Sequence, residues 1–261
     1  MTKDFYMSEL GDAPIYVPSK VEPDEMDWQA YAMHYDEMCE LNPAYQHNIN
    51  VLMGYIRSWS LPSQPEICDL GAGTGNYINK INQLLPNSNF SHVDFDTKMN
   101  ELARQKYERA NVKSVRIINE YVQRVVFEPK QFDLIICVNA LYAISPQKQV
   151  LNNIRSWLKD DGRFFVIDFG RKQKTLDWTM YLFRESIRNH RVGRYARALI
   201  EAREVIKQNR RSSKGQKSGR YWTHTTSEFA NTLVDCGFSV EEVFPCYRGY
   251  ADLAICRKST I

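Results

Sequence analysis

The stretch Glu66-Ile-Cys-Asp-Leu-Gly-Ala-Gly-Thr-Gly-Asn76 decides the fold of this chain. Glu66–Leu70 is short and mostly apolar, as expected of a strand buried on both faces. Gly71, Gly73 and Gly75 alternate directly after it, and Asn76–Leu85 then reads as a helix. Glycine lets backbone come close to a ligand and adopt conformations closed to other residues. In an open α/β sheet, this first strand-to-helix turn is where a nucleotide-like ligand sits. A tight turn can also need glycine for structural reasons alone, so the neighbouring residues must discriminate.

Outward from the turn, strands and helices keep alternating. Asn89–Asp94 reads as a second strand, Thr97–Ala110 as a helix with Met99, Leu102, Ala103 and Tyr107 at apolar or aliphatic positions, and Val115–Ile118 as a third strand. Phe132–Val138 is nearly all apolar, Gln147–Leu158 is a helix ended by a turn over Lys159–Gly162, and Arg163–Phe169 is a fifth strand. These spacings predict an α/β fold with a doubly wound, mostly parallel sheet.

Before this core, residues 1–22 read as an arm, and Asp24–Ser60 as two helical stretches broken at Asn42-Pro43; residues 1–60 form an N-terminal arm and helical cap ahead of a 61–170 core. After Gly170 the pattern breaks. Residues 174–210 are helical, first aromatic (Leu176, Trp178, Met180, Tyr181, Phe183) and then basic, and Ser212–Gly219 is a polar loop. We read 171–222 as a helical, basic lid insertion, and 223–261 as a helix (Thr226–Cys236) and two strands (Phe238–Phe244, Tyr250–Arg257) completing the sheet.

The 261 residues are 43% hydrophobic and 25% charged, an ordinary globular composition that argues against wholesale disorder, collagen or coiled coil. No run of about 18 apolar residues is present, which argues against a transmembrane helix. The start lacks the apolar region of a secretory signal. None of the six cysteines forms a CxxC pair, so a zinc ribbon or redox site has no support and a reduced, cytoplasmic chain is expected. His34, His47, His92 and His190 lack ligand spacing, so no metal is expected.

The total charge of +3 is unevenly spread: Arg184–Arg220 holds twelve Lys/Arg against three Glu, a net +9 that leaves −6 on the rest. Such a segment suits a solvated helix surface, a lid recruiting an anionic small substrate, or contact with RNA or an anionic membrane. RNA binding would want aromatics among the basic residues; only Tyr195 qualifies.

Two carboxylates sharpen the reading of the glycine turn. Asp69 stands at the strand end just before it, where a pyrophosphate on the following helix would be repelled. S-adenosylmethionine has no phosphate and carries a cationic ammonium and sulfonium, so a carboxylate there suits it. The dinucleotide fingerprint would also want glycine where this chain has Asn76. Asp94, ending the second strand, can accept hydrogen bonds from both ribose hydroxyls or, alternatively, start a helix. Phe95 suits one face of the adenine ring.

Glu66–Asn76, His92-Val-Asp-Phe-Asp96 and Phe132–Tyr142 together resemble the class I S-adenosylmethionine-dependent methyltransferases, particularly their small-molecule branch. The resemblance spans about residues 65–170, and the closing helix–strand–strand pattern fits it. It implies a seven-stranded Rossmann-like sheet with an antiparallel last strand, and the cofactor across the carboxyl ends of the first strands. It further implies that Asp69, Gly71 and Gly73 line the methionine part with Ala72 also at the cofactor, that Asp94 holds the ribose, and that Asn139–Tyr142 lies beside the methionine moiety and the transferable methyl, Asn139 alternatively starting a helix. Relatives usually have Asp near the adenine amino group; here Glu120, in Asn119-Glu-Tyr-Val122, is the candidate.

Methyl transfer is an in-line displacement in which positioning dominates, with a base needed only if the acceptor must lose a proton. Tyr142 and His224 are the catalytic candidates, with helix initiation the alternative for His224. Tyr142, Arg248, Trp178 and Tyr181 are candidates for acceptor binding, Arg248 as a bidentate partner of an acceptor carboxylate or as a solvated hairpin residue. Tyr31 and Tyr35 are expected to close the cofactor pocket, or to form an ordinary core face. The reading is of a methyltransferase acting on oxygen or nitrogen of a small aromatic or apolar metabolite, with homodimerisation possible and nucleic acid disfavoured. The alternatives are an RNA methyltransferase using 184–220 and a non-catalytic cofactor-binding regulator.

Overall fold

The computed structural model describes residues 28–172, 174–201 and 214–259. The expected arm over 1–22, the helical run beyond 201, Ser212, Ser213 and the Tyr31 side chain lie outside the described residues, whereas 214–217, expected in a polar loop, is one helical turn.

Two helices come first, α1 (Trp28–Leu41) and α2 (Pro43–Ser58). Between them, the Asn42 side chain accepts the N–H groups of Ala44 (3.0 Å) and Tyr45 (3.4 Å), and Pro43 takes the first helical position, where its missing N–H costs nothing. The alternating core follows as β1 (Glu66–Leu70), α3 (Asn76–Leu84), β2 (Asn89–Asp94), α4 (Thr97–Arg109), β3 (Val115–Asn119), β4 (Phe132–Val138), α5 (Gln147–Trp157) and β5 (Leu158–Asp168). Then come α6 (Thr175–Arg188), α7 (Val192–Glu201), α8 (Thr226–Asp235), β6 (Phe238–Cys246) and β7 (Ala251–Lys258).

The strands form one seven-stranded sheet in the order β3-β2-β1-β4-β5-β7-β6, parallel except for β7, which runs antiparallel to both β5 and β6. The order reverses between β1 and β4, which places the ligand crevice outside the carboxyl ends of those strands. Alternate side chains feed two apolar layers. Cys68, Leu70, Ile135 and Cys137 face a core closed by α5 and α8 through Leu151, Ile154 and Phe229. Ile67, Leu134 and Ile136 face the other, closed by α2, α3 and α4 through Leu52, Ile78 and Tyr107. Each fully buried aliphatic side chain contributes about 1.5–3 kcal/mol.

β5 starts earlier than the sequence suggests. Leu158, fully buried, pairs with Phe132, and a register shift between Phe132 and Leu134 absorbs the exposed residues that read as a turn. Burial of one leucine outweighs the turn signal of Asp160, Asp161 and Gly162. The insertion's aromatic half is α6, and α7 docks on α1 through Arg194, whose guanidinium pairs with Glu37 (3.2 Å) and Glu40 (2.8 Å).

Candidate functional site

The glycine turn adopts the conformations its composition allows: Gly71, Gly73 and Gly75 have φ of +71°, +55° and +76°. The N–H groups of Gly71 and Ala72 both donate to the Val93 carbonyl, at 2.8 and 3.1 Å, and pin the turn to the end of β2. A Cβ on Gly71 would stand 2.5 Å from Cβ of Ala140, so glycine lets the turn close against the segment after β4. A Cβ on Gly75 would run into the Tyr107 ring, which fills that place.

Asp94 is buried and accepts two backbone hydrogen bonds, from Gly73 N–H to Oδ2 (2.8 Å) and from Asp96 N–H to Oδ1 (2.9 Å). His92 supports this corner: its Nε2 meets Asn100 Oδ1 at 2.9 Å and its Nδ1 meets the Tyr107 hydroxyl at 2.8 Å. Asn100 Nδ2 donates to the Asp94 carbonyl, which leaves Asn100 Oδ1 to accept, so the His92 proton sits on Nε2 and the Tyr107 hydroxyl donates to Nδ1. Burial pushes the His92 pKa down to about 4, consistent with this neutral ring.

Asp69 is buried at the end of β1. Burial pushes its carboxyl up to about 8, and the neighbouring Asp94 adds to the rise. Burial likewise raises Asp94 to about 6, against the lowering effect of its N–H donors. Two carboxylates raised this way favour a positive ligand over an anionic one.

Sequence reasoning missed Asp36. From α1 it accepts from Thr74 Oγ1 (2.6 Å) and Asn76 Nδ2 (3.1 Å), and pairs with Lys106 Nζ at 2.8 Å. It ties the N-terminal helix to the far side of the glycine turn. Nothing local in the sequence links positions 36 and 74.

Just after β2, Phe95 is 52% exposed and stacks on Tyr121, with ring centroids 5.0 Å apart and planes 5° apart. Glu120 accepts the Tyr121 N–H at 2.8 Å and lies 3.9 Å from Arg124, whose guanidinium stands over the Tyr121 ring. Tyr121 is a second aromatic face that sequence reasoning did not single out.

The segment after β4 is set by a different group of residues. Asn139 has φ of +56°, its Nδ2 donates to the Tyr247 hydroxyl at 3.2 Å, and its buried Oδ1 has no hydrogen-bond partner. Tyr142 donates its N–H to Asp168 Oδ1 (2.8 Å), and its ring meets Phe169 and Tyr221 edge-on at 6.1 and 5.3 Å. Tyr247 is buried and touches the rings of Phe169 and Trp178. Trp178 and Tyr181 meet at 5.8 Å on the inner side of α6. Tyr247 is thus the hub that sequence reasoning passed over for its neighbour Arg248.

Two expectations are corrected by geometry. Arg248 is committed to Asp177, with Nε at 3.1 Å and Nη2 at 2.8 Å, and its guanidinium lies 4.6 Å from the Tyr181 ring centroid, so it fastens the hairpin to α6 instead of waiting for an acceptor carboxylate. His224 does not face an open cleft. Its side chain is fully buried, Nε2 lies 3.3 Å from Asp168 Oδ2, and Nδ1 lies 3.4 Å from Asp252 Oδ2. Burial opposes charge on the ring, yet the two carboxylates prevail and raise its pKa. Arg171 completes the cluster with a bidentate pair to Asp252 at 2.8 and 2.9 Å, and burial notwithstanding, His224, Arg171 and Thr226 hold the Asp252 pKa down at about 2. With a carboxylate at each nitrogen, the ring has no nitrogen turned to a substrate. Trp222 packs beside the ring, its centroid 4.5 Å from that of His224 and the planes tilted by 48°.

Fold and site together define a doubly wound α/β domain with two buried carboxylates beside the glycine turn of its first strand. A family model described as Methyltransferase domain matches residues 62–227, and the chain belongs to this family, the class I S-adenosylmethionine-dependent methyltransferases. A malonyl-[acyl-carrier protein] O-methyltransferase of Bacillus anthracis is 28% identical over 141 residues, 54% of this chain and 50% of that protein. The chain thus spans about half the length of such curated relatives. Among solved structures, a SAM dependent methyltransferase from Aquifex aeolicus superposes with a TM-score of 0.56 at 12% identity, covering 85% of this chain and 97% of the other. The CurJ carbon methyltransferase superposes with a TM-score of 0.61 at 16% identity, over 89% of this chain and 59% of that one. These two likenesses concern the fold.

Proposed function

We propose that this chain transfers a methyl group from S-adenosylmethionine to an oxygen or nitrogen of a small, apolar or aromatic acceptor. The observation that carries the reading is the pair of buried, pKa-raised carboxylates, Asp69 and Asp94, flanking a turn of positive-φ glycines.

The residues present fit the cofactor. Asp94 spends only part of its acceptor capacity on Gly73 and Asp96, so oxygen lone pairs remain for ribose hydroxyls. Asp69 favours the cationic end, Ala72 and Gly73 leave the turn open beside it, and Phe95 and Tyr121 offer faces to a purine. The unpartnered Asn139 Oδ1 is an acceptor awaiting a donor. When bound, the cofactor supplies a methyl group already activated by its sulfonium.

The chain's own contribution is placement and exclusion of water. Asp168 fixes the backbone of Tyr142, and Asn139 orients the Tyr247 hydroxyl. Burial holds the Tyr247 phenol far above its ordinary pKa, so it stays protonated and donates a hydrogen bond instead of taking a proton. Trp178, Tyr181, Phe169 and Tyr142 supply an aromatic wall for an apolar acceptor. In this reading no general base operates and His224 is a positioning residue, so acceptors arriving as a carboxylate or neutral amine are favoured. The O-methyltransferase name of the Bacillus anthracis relative supports oxygen as one target.

Purified protein, supplied with S-adenosylmethionine and a panel of apolar carboxylic acids, phenols and amines, is expected to release S-adenosylhomocysteine only when an acceptor is present. Binding of NAD or ATP in preference to S-adenosylmethionine would overturn the reading.

A further inference from the structure

The outer face of α6 has no role in the site just described. Leu176, Met180, Phe183 and Ile187 are spaced four, three and four residues apart, which stacks them in one row along the 14-residue helix. All four face water, with exposures of 80%, 56%, 49% and 51%. The opposite side of the same helix is committed inward: Leu182 and Ser186 are buried, and Trp178 and Tyr181 meet the aromatic wall. Val192 continues the exposed apolar character at the start of α7.

This row is edged by cations. Lys172 and Lys174 precede the helix, Arg184 and Arg188 lie on it, and Arg191 follows it, all exposed except that Arg188 lies 3.8 Å from Glu185. Lys217 crowds Lys172 closely enough to lower the Lys172 pKa. Asp177, the other carboxylate of the helix, is already paired with Arg248.

We propose that α6 is a docking surface for an anionic lipid surface. Isolated exposed apolar residues are ordinary, but an aligned row of large ones is not. The row is a ridge one side chain wide on a convex helix. A protein partner would need a complementary groove along it, whereas a fluid lipid surface yields to a ridge and places its headgroup phosphates beside the flanking cations. Among the described residues no helix is long and apolar enough to cross a membrane, so the contact is peripheral. The inference rests on the proposed apolar acceptor only for its purpose: one helix would touch lipid with its outer face and the acceptor's aromatic wall with its inner one.

The test is sedimentation of the full chain with extruded vesicles, either pure phosphatidylcholine or containing roughly one quarter phosphatidylglycerol. Binding is expected to the anionic vesicles, to weaken as salt is raised, and to fall about tenfold in the double variant Met180→Ser/Phe183→Ser. Val126→Ser, which removes an apolar side chain exposed elsewhere, is expected to leave it unchanged. Circular dichroism and cofactor affinity equal to the parent's establish that the double variant is folded. Equal binding by parent and double variant, indifference to anionic lipid, or capture by soluble polyglutamate as tight as by vesicles would each overturn the proposal. S-adenosylhomocysteine release from water-soluble acceptors is measured separately, so its failure strikes the functional reading and leaves the vesicle result standing.

Discussion

The carboxyl edge of the sheet buries acidic residues at two places and gives them different partners, although burial raises Asp168 as it raises Asp69 and Asp94. On the β1–β2 side, Asp69 and Asp94 are raised to about 8 and about 6, with backbone N–H groups on Asp94 and no built-in cation in the causes that set either value. On the β5–β7 side, Asp168 and Asp252, cross-strand partners in the antiparallel pair, enclose His224 and Arg171. A buried charge that lacks its opposite is costly. The second pair has Arg171 and His224 as partners within the chain. In the proposed reading the first pair leaves that demand to a ligand, and this contrast, more than the glycines, would separate binding residues from structural ones.

The sharpest way to break the comparison is Asp69→Asn. Calorimetry is expected to show cofactor affinity reduced about a hundredfold, as removal of one partner of a buried charge pair does, while thermal stability of the ligand-free chain holds or rises. If stability collapsed instead, Asp69 would belong with the structural pair. Arg171→Met is the mirror test. Leaving Asp252 short of a cation is expected to lower unfolding stability by about 3 kcal/mol in denaturant titrations, with cofactor affinity changed less than tenfold.

A pH series sharpens the same distinction at smaller amplitude. Asp69 and Asp94 have folded pKa values above the ordinary 3.8, so between those values the folded state holds more protons than the unfolded one. Stability of the ligand-free chain is therefore expected to fall as pH rises from about 5 to 8. Asp168, also raised by burial, adds to that fall, and His224, raised by its two carboxylate neighbours, adds to it above its ordinary value of 6.5. Saturating cofactor is expected to flatten the Asp69 and Asp94 part, giving a larger thermal shift at pH 8 than at pH 6. Asp252 acts in the opposite sense, its contribution being lost only as pH falls from about 4 through about 2. The smallest effect is expected from Asp36→Ala. It removes a half-exposed clamp on the glycine turn and is expected to weaken cofactor binding about threefold in the same calorimetric assay.

What was legible in the sequence follows the range over which each interaction acts. Buried parallel strands read as apolar runs, and the turn at Gly71–Gly75 advertises its backbone needs within five residues. Asp69 and Asp94 could be found because they adjoin those signals. His224 could not be placed, because its partners Asp168 and Asp252 are far away in the chain and their meeting depends on the register of β5 with β7. Asp36 and Tyr247 were missed for the same reason. On α6 the aromatic content was plain, but which of those side chains turn inward was not, and Phe183 faces water. Helical spacing fixes which residues share a face and leaves open which face turns inward.

One carboxylate makes the last point. Asp168 uses Oδ1 to seat the Tyr142 backbone and Oδ2 to meet His224, which in turn meets Asp252. The nucleoside half of the crevice is completed by residues from β1 through β3, close neighbours along the chain. The Tyr142 side is completed only when residues 142, 168, 224 and 252 have converged. Contacts that close such long loops form slowly, so this side of the crevice is expected to be among the last parts of the molecule to set.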